Sequence, residues 1–267
     1  MKSFVCITGA TGGLGKAFAV EGASRGWNLF LTDLWEKNLE NLSRGLASTY
    51  DIEALYYPCD LANDGSQKDF FAYIQKEKLE FDILINVAGL DFEGFFTERT
   101  PQQIRTITRV NIEGNLGMTY AILKARDKEK PFRIINVSSL AAFYPMPIKA
   151  MYSASKRFLL NFSMALREEL RPAGVTVTAL CPAGMPTTEG CRQSIESQGF
   201  AGRLTTKNVG YVASKTIDHA LKGHAVYIPG LLNRMLRFVG FMFPSGLLAR
   251  AICERWKSTR KRKEAIL

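Results

Sequence analysis

Histidine is nearly absent. His219 and His224 are the only two in 267 residues, and no H-E-x-x-H frames them. Histidine-based metal chemistry therefore has little to work with, and no metal site is expected. The five cysteines, Cys6, Cys59, Cys181, Cys191 and Cys253, are scattered without a C-x-x-C pair. That argues against both a zinc site and a disulfide framework. Long apolar runs are missing as well. The run at 4–7 is too short for the core of a signal peptide and leads straight into glycines, so the chain reads as cytoplasmic. Towards the other end, Arg237 and Pro244 interrupt the apolar stretch well short of the roughly 20 residues a membrane-spanning helix needs. Acids are scarce in the tail: residues 231–267 hold nine basic side chains against Glu254 and Glu264, a net +7 out of the chain's +10. Any argument from charge to a partner thus concerns the tail alone. Trp256 is the one aromatic among its terminal basic residues, too little interleaving for nucleic-acid binding.

What is present is ordinary globular composition, 46% hydrophobic and 22% charged, which excludes a disordered, collagen-like or polytopic membrane chain. The length suits one α/β domain with a sizeable core. Short apolar runs recur at 4–7, 28–32, 54–57, 83–86, 133–137, 175–180 and 225–228. Helix-like stretches separate them at 14–25, 36–49, 64–78, 101–126, 152–170 and 207–221. This alternation predicts a single doubly wound α/β Rossmann domain over 1–230, with a seven-stranded parallel sheet between helices. Residues 231–267 depart from it and predict an amphipathic, basic C-terminal helical extension, broken at Pro244-Ser245-Gly246.

Two clusters carry chemistry. Thr8-Gly9-Ala10-Thr11-Gly12-Gly13-Leu14-Gly15 joins the first strand to the first helix. Glycines admit a pyrophosphate close to the backbone, and the helix N-terminus offers free N–H groups. Asp33 ends the second strand at the distance expected of an acid that binds the adenosine ribose hydroxyls. A 2′-phosphate would meet that carboxylate, and neither Gly12 nor Leu34 compensates it, so NAD is favoured, with NADP as the alternative. In the second cluster, Tyr152 and Lys156 stand four apart on one helical face. A phenol has a pKa of about 10, and a nearby ammonium lowers it, so the tyrosine can exchange a proton with an alcohol or ketone oxygen. Ser139 ends the fifth strand, and its hydroxyl can bond the same oxygen. A Tyr-x-x-x-Lys pair alone is more often a solvated helix surface; the serine and the glycine loop change that reading.

With these motifs the sequence resembles the short-chain dehydrogenase/reductase family from about Ser3 to Ile228. The family's cofactor loop is matched at Thr8, Gly9, Gly13 and Gly15, its acid at Asp33, and its adenine-contacting pair at Asp60-Leu61. Its N-N-A-G strand end appears as Asn86-Val87-Ala88-Gly89, and its catalytic asparagine as Asn111. Ser139, Tyr152 and Lys156 match the remaining catalytic types. The turn after the sixth strand appears as Pro182-Ala183-Gly184, followed by Thr187 near the nicotinamide amide. Val87 and Ala183 depart from the pattern. The resemblance implies hydride transfer between a nicotinamide cofactor and a secondary alcohol or ketone. In it Tyr152 moves the proton, Ser139 orients the oxygen, Lys156 lowers the tyrosine pKa and holds the ribose, and Asn111 holds a water. It also implies a homo-oligomer, a dimer or tetramer.

The walls expected around the substrate, at 90–96, 140–151 and 185–204, offer Phe92, Phe95, Phe96, Phe143, Tyr144, Met146, Met151 and Met185. They predict a small apolar ketone or alcohol, for example a hydroxysteroid; core packing of the same aromatics is the competing reading. A 3-oxoacyl thioester reductase is the enzymatic alternative, though such members mostly use NADP. A non-catalytic nucleotide-binding scaffold is a second alternative, but it should have lost the tyrosine or lysine. In the tail, Leu232, Met235, Leu236, Val239, Met242 and Phe243 recur at helical spacing. The expectation is a lid over the substrate or a subunit interface, with peripheral contact to an anionic membrane as the alternative.

Overall fold

The computed structural model describes residues 2–187, 191 and 204–264, without the side chains of 241 and 257–264. Seven parallel strands form one sheet in the order β3-β2-β1-β4-β5-β6-β7. They are β1 (Ser3–Thr8), β2 (Leu29–Thr32), β3 (Ala54–Tyr56), β4 (Glu80–Asn86), β5 (Phe132–Val137), β6 (Val175–Leu180) and β7 (Val226–Tyr227). The order reverses direction between β1 and β4, and the crevice at such a switch point is where this architecture takes ligands. Alternation along each strand feeds two cores. Val5 and Ile7 pack with α1 (Gly13–Ser24), α2 (Glu36–Tyr50) and α7 (Val209–Leu221). Phe4 and Cys6 point the other way, towards α3 (Asp64–Lys76), α5 (Asn115–Lys124) and α6 (Ala150–Leu170). Burial on both faces is why these strands read as continuous apolar runs.

The helix expected at 101–126 is interrupted. Helix α4 (Pro101–Thr108) starts with a capping box between Thr100 and Gln103 and proline in its first turn. A π-helical turn, Arg109–Gly114, then leads into α5. Its cause is local: the Asn115 side-chain amide donates back along the helix to the carbonyls of Val110 and Asn111, at 3.0 and 3.1 Å, and competes with the backbone ladder. Gly114 also lets the turn close on Leu61, since a Cβ there would come within 2.7 Å of the Leu61 Cβ. Such turns tend to mark functional sites.

After β7 the chain forms α8 (Leu231–Met242) and α9 (Ser245–Glu264), parted at Pro244. Helix α8 lies on the 3-10 turn Leu140–Phe143 that follows β5. Asn233 is buried and donates to the carbonyls of Pro229 and Thr205 at 2.7 and 3.0 Å. The Tyr144 hydroxyl donates to the Leu236 carbonyl, and the Arg237 guanidinium stands 5.2 Å from the centre of the Phe143 ring.

Candidate active site

The ends of β1, β4 and β5 lie side by side, with Thr8 beside Asn86 and Asn86 beside Asn136. Polar side chains fix this edge from below. Asn86 donates to Thr119 and Asn136 at 3.0 and 2.9 Å, and Asn136 donates to Ser163 at 2.9 Å, all four buried. Asn86 thus turns into the fold and ties strand ends to α5 and α6. The Thr8 hydroxyl accepts from the backbone of Val87 and Ala88 at 3.1 and 3.2 Å, holding the end of β4 against β1.

The glycine loop is shaped by close approach. A Cβ on Gly15 would lie 2.0 Å from the Gly9 carbonyl oxygen, and one on Gly13 would lie 2.7 Å from the Thr187 carbonyl oxygen. Thr187, distant in sequence, therefore folds back onto the loop. Leu14 is buried in the first turn of α1. That turn has Gly12 before it, no side chain capping it and no acid within it, so its amides are open to an anion. Asp33 sits beside the loop. One carboxylate oxygen accepts from the Thr11 amide and hydroxyl at 2.9 and 2.6 Å, and the other from the Leu34 amide at 2.8 Å. Asp60 is locked in a turn by Ala62, at 2.8 Å, with Leu61 buried next to it. The Pro182 carbonyl accepts from Leu140 at 2.7 Å, joining the turn after β6 to the segment after Ser139. These approaches form a cradle fit for a dinucleotide, from the α1 N-terminus past Ala88 and Gly89 to Thr187. At Gly89 a Cβ would lie 3.0 Å from Lys156 Nζ and 3.4 Å from Asn111 Oδ1.

Tyr152 and Lys156 come from the first turns of α6. The Ser139 hydroxyl accepts from the Ala141 amide at 3.1 Å and donates to the Pro182 carbonyl at 3.5 Å, close enough to the Tyr152 phenol to lower its pKa. Lys156 is buried, donates to the Val137 carbonyl at 2.8 Å, and sits 5.7 Å from the centre of the Tyr152 ring. The Ser138 hydroxyl donates to the Lys156 carbonyl at 2.7 Å and anchors the helix to β5. Asn111 is fully buried and locked. Its amide donates to the Leu90 carbonyl and to Ser155, and its oxygen accepts from the Leu90 amide, all at 2.9–3.0 Å.

The electrostatics differ from the expectation that Lys156 dominates the tyrosine. Burial pushes the Tyr152 phenol above its ordinary value, against the Ser139 hydrogen bond and the charge of Lys149, which both pull it down. Burial also pulls the Lys156 ammonium down to about 8. Lys149 is a residue the sequence did not single out. It stands three before Tyr152, 5.9 Å from its ring centre, and pairs with Asp91 at 2.7 Å and Glu93 at 3.1 Å. Burial opposes its charge, but Asp91 and Glu93 outweigh that and raise its pKa. Helical spacing to Tyr152 was the available signal for it; the acids that hold it lie 58 and 56 positions away.

Of the expected apolar wall, Phe92, Phe96 and Met151 line a small hollow open to solvent together with Ile107 and Ile148, with Arg99 and Gln103 also on its wall. Phe143 instead belongs to a core cluster with Leu160 and Cys181, and Met185 packs against the core below the sheet's other face. Phe95 is partly exposed, and Tyr144 points to α8. Of the wall at 185–204, residues 188–190 and 192–203 lie outside the described residues.

A glycine-floored cradle thus lies at the sheet's switch point, next to Ser139 beyond β5 and to Tyr152 and Lys156 from the first turns of α6. The chain matches the short chain dehydrogenase family over residues 3–198 and belongs to it. It is 32% identical over 188 residues to the very-long-chain 3-oxoacyl-CoA reductase-A of Danio rerio, covering 68% of this chain and 58% of that protein. It is 33% identical over 192 residues to the 17-beta-hydroxysteroid dehydrogenase type 3 of Homo sapiens, covering 70% and 60%. The chain thus spans under two thirds of the length of these curated relatives. Among solved structures, a 7beta-hydroxysteroid dehydrogenase superposes with a TM-score of 0.83 at 22% identity, covering 94% of this chain and 96% of that one, which shows the shared fold.

Proposed function

We propose that the protein interconverts a secondary alcohol and a ketone with NAD, using Tyr152 as the proton-transfer group on an apolar substrate such as a hydroxysteroid. The observation that carries this reading is the meeting of Ser139, Tyr152 and Lys156 beside the glycine cradle. A bound nicotinamide dinucleotide would give the hydride in reduction and take it in oxidation. The chain's own groups do the rest. The Ser139 hydroxyl holds the substrate oxygen, and the Tyr152 hydroxyl gives a proton to that oxygen in reduction or takes it in oxidation. Lys156 Nζ, which lies beside Gly89, would hold the ribose hydroxyls. Asn111 keeps the segment at Leu90 and the start of α6 in register, and its bonds to Leu90 and Ser155 give it this positioning role; the sequence expectation assigned it a water. Thr8, Gly9, Gly13, Leu14, Gly15, Asp60, Leu61, Ala88, Pro182 and Thr187 complete the proposed cradle, while Asn86, expected there from the sequence, ties the strand ends together beneath it.

NAD is proposed over NADP because the Asp33 carboxylate stands beside the glycine loop, bonded to Thr11 and Leu34, and would repel a 2′-phosphate. The Asp33→Ala variant should narrow the ratio of kcat/KM for NAD over NADP; an unaltered protein equally efficient with both would overturn the choice. The similarity to the Danio rerio reductase supports a second reading, reduction of a 3-oxoacyl thioester. A panel of apolar secondary alcohols, hydroxysteroids and 3-oxoacyl thioesters, followed at 340 nm, separates the two. The proposal also divides the chain into a catalytic domain, 1–230, and an extension, 231–267. It keeps the protein cytoplasmic and a dimer or tetramer, which fractionation and solution mass would test.

A further inference from the structure

Helix α8 is mounted with its polar side inward. Asn233 and Arg237 face the protein with Gly240, whose added Cβ would meet the Phe143 carbonyl oxygen at 2.9 Å. The half-buried Leu232 and Leu236 flank them. Leu231, Met235, Phe238 and Met242, spaced four, three and four apart, form one continuous row on the opposite side. They are 73%, 59%, 67% and 77% exposed. Val239, Phe243 and Leu247 extend the exposed patch past the break at Pro244. The stripe expected to cover the substrate therefore divides: its inner members lie on the segment after Ser139, and its outer members meet solvent. A contiguous apolar face of this kind marks an interaction surface.

We infer that this face docks on an anionic lipid surface, the net positive charge of the surrounding sequence, 231–267, adding to the attraction. Three observations choose that occupant. Residues 225–253 contain no Asp or Glu, and 231–267 carry a net +7; an apolar row beside cations is the pattern that lies in a lipid interface. A second copy fits worse. Helix α8 has 12 residues, so its outer face is about 18 Å long, about 10 Å wide and roughly 200 Å² in footprint, against about 800 Å² per partner in a stable dimer. Symmetric pairing would also bring two clusters of like charge together. Finally, no helix among the described residues is long and apolar enough to cross a membrane, which leaves contact in the plane of the surface.

The test uses the full chain and sedimentation with vesicles of phosphatidylcholine alone or mixed with phosphatidylglycerol. At low salt, binding to the anionic vesicles should be at least about tenfold tighter than to the neutral ones. It should weaken as salt screens the charges. Phe238→Glu with Met242→Glu should lower it at least about tenfold, with melting temperature unchanged because both side chains already face solvent. The milder pair Met235→Gln with Phe238→Gln repeats the test should the first prove unstable. No preference for anionic vesicles would overturn the inference. So would binding that both variant pairs leave intact, since the basic end alone would then explain it. Loss of a dimer mass in the variants, without loss of vesicle binding, would assign the face to a second copy.

Discussion

At Lys156 two demands compete. The ammonium is useful beside Tyr152 only if charged, yet its burial holds its pKa near 8, against about 10.4 in an unfolded chain. Between those values the unfolded chain holds a proton that the folded one has lost, so this residue's contribution makes stability rise with pH. Below 8 both states carry the charge, and the burial penalty is constant. The ligand-free protein should therefore gain stability, by a few kcal/mol at most, between about pH 8 and 10.4 relative to Lys156→Met. Denaturant midpoints of the two proteins across that range check it, and parallel curves would contradict it. Gly15 gives a second prediction. Its Cβ would strike backbone, the Gly9 carbonyl at 2.0 Å, which no side-chain rotation relieves. Gly15→Ala should cost about 1–3 kcal/mol and abolish NAD binding, as read by thermal melting with and without NAD.

Elements were legible wherever the hydrophobic pattern has one interpretation. The inner strands β1, β2, β4, β5 and β6 are largely buried on both faces and stand out as apolar runs, whereas the edge strands β3 and β7 are short and less deeply buried. The helix at 101–126 was not fully legible, because nothing about an asparagine at 115 announces that its side chain will take over the carbonyls of Val110 and Asn111 and open the π-helical turn. Orientation was the other blind spot. Helix α8 has apolar residues on both sides, so only the burial of Asn233 and the contact of Arg237 with Phe143 decide which side faces in. The C-terminus of α3 supplies a test of local reasoning. Leu79 donates to Ile74 at 3.1 Å and Lys78 to Gln75 at 3.2 Å, closing a Schellman turn in which Lys78 holds φ 49°. Glycine suits that conformation better than lysine. Lys78→Gly should stabilise the protein by up to about 1 kcal/mol, raising its melting temperature by a few degrees; a lower melting temperature would show that the turn is not strained.

Across the whole molecule, the parallel sheet aligns strand ends so that residues up to 179 positions apart, Thr8 and Thr187, close on one crevice. The motif residues of that crevice were readable because each has a fixed place relative to a strand end or a helix start. The ion pairs of Lys149 with Asp91 and Glu93 were not, since nothing in the sequence relates loops so far apart. The account's central claim is that Tyr152 passes the proton in an NAD-linked alcohol–ketone interconversion. The most direct measurement is steady-state turnover, followed at 340 nm with NAD and an apolar secondary alcohol, of the unaltered protein against Tyr152→Phe, with NAD binding measured in parallel. The account predicts a fall in kcat of at least about a hundredfold with NAD affinity nearly unchanged. Near-normal turnover by Tyr152→Phe would contradict it.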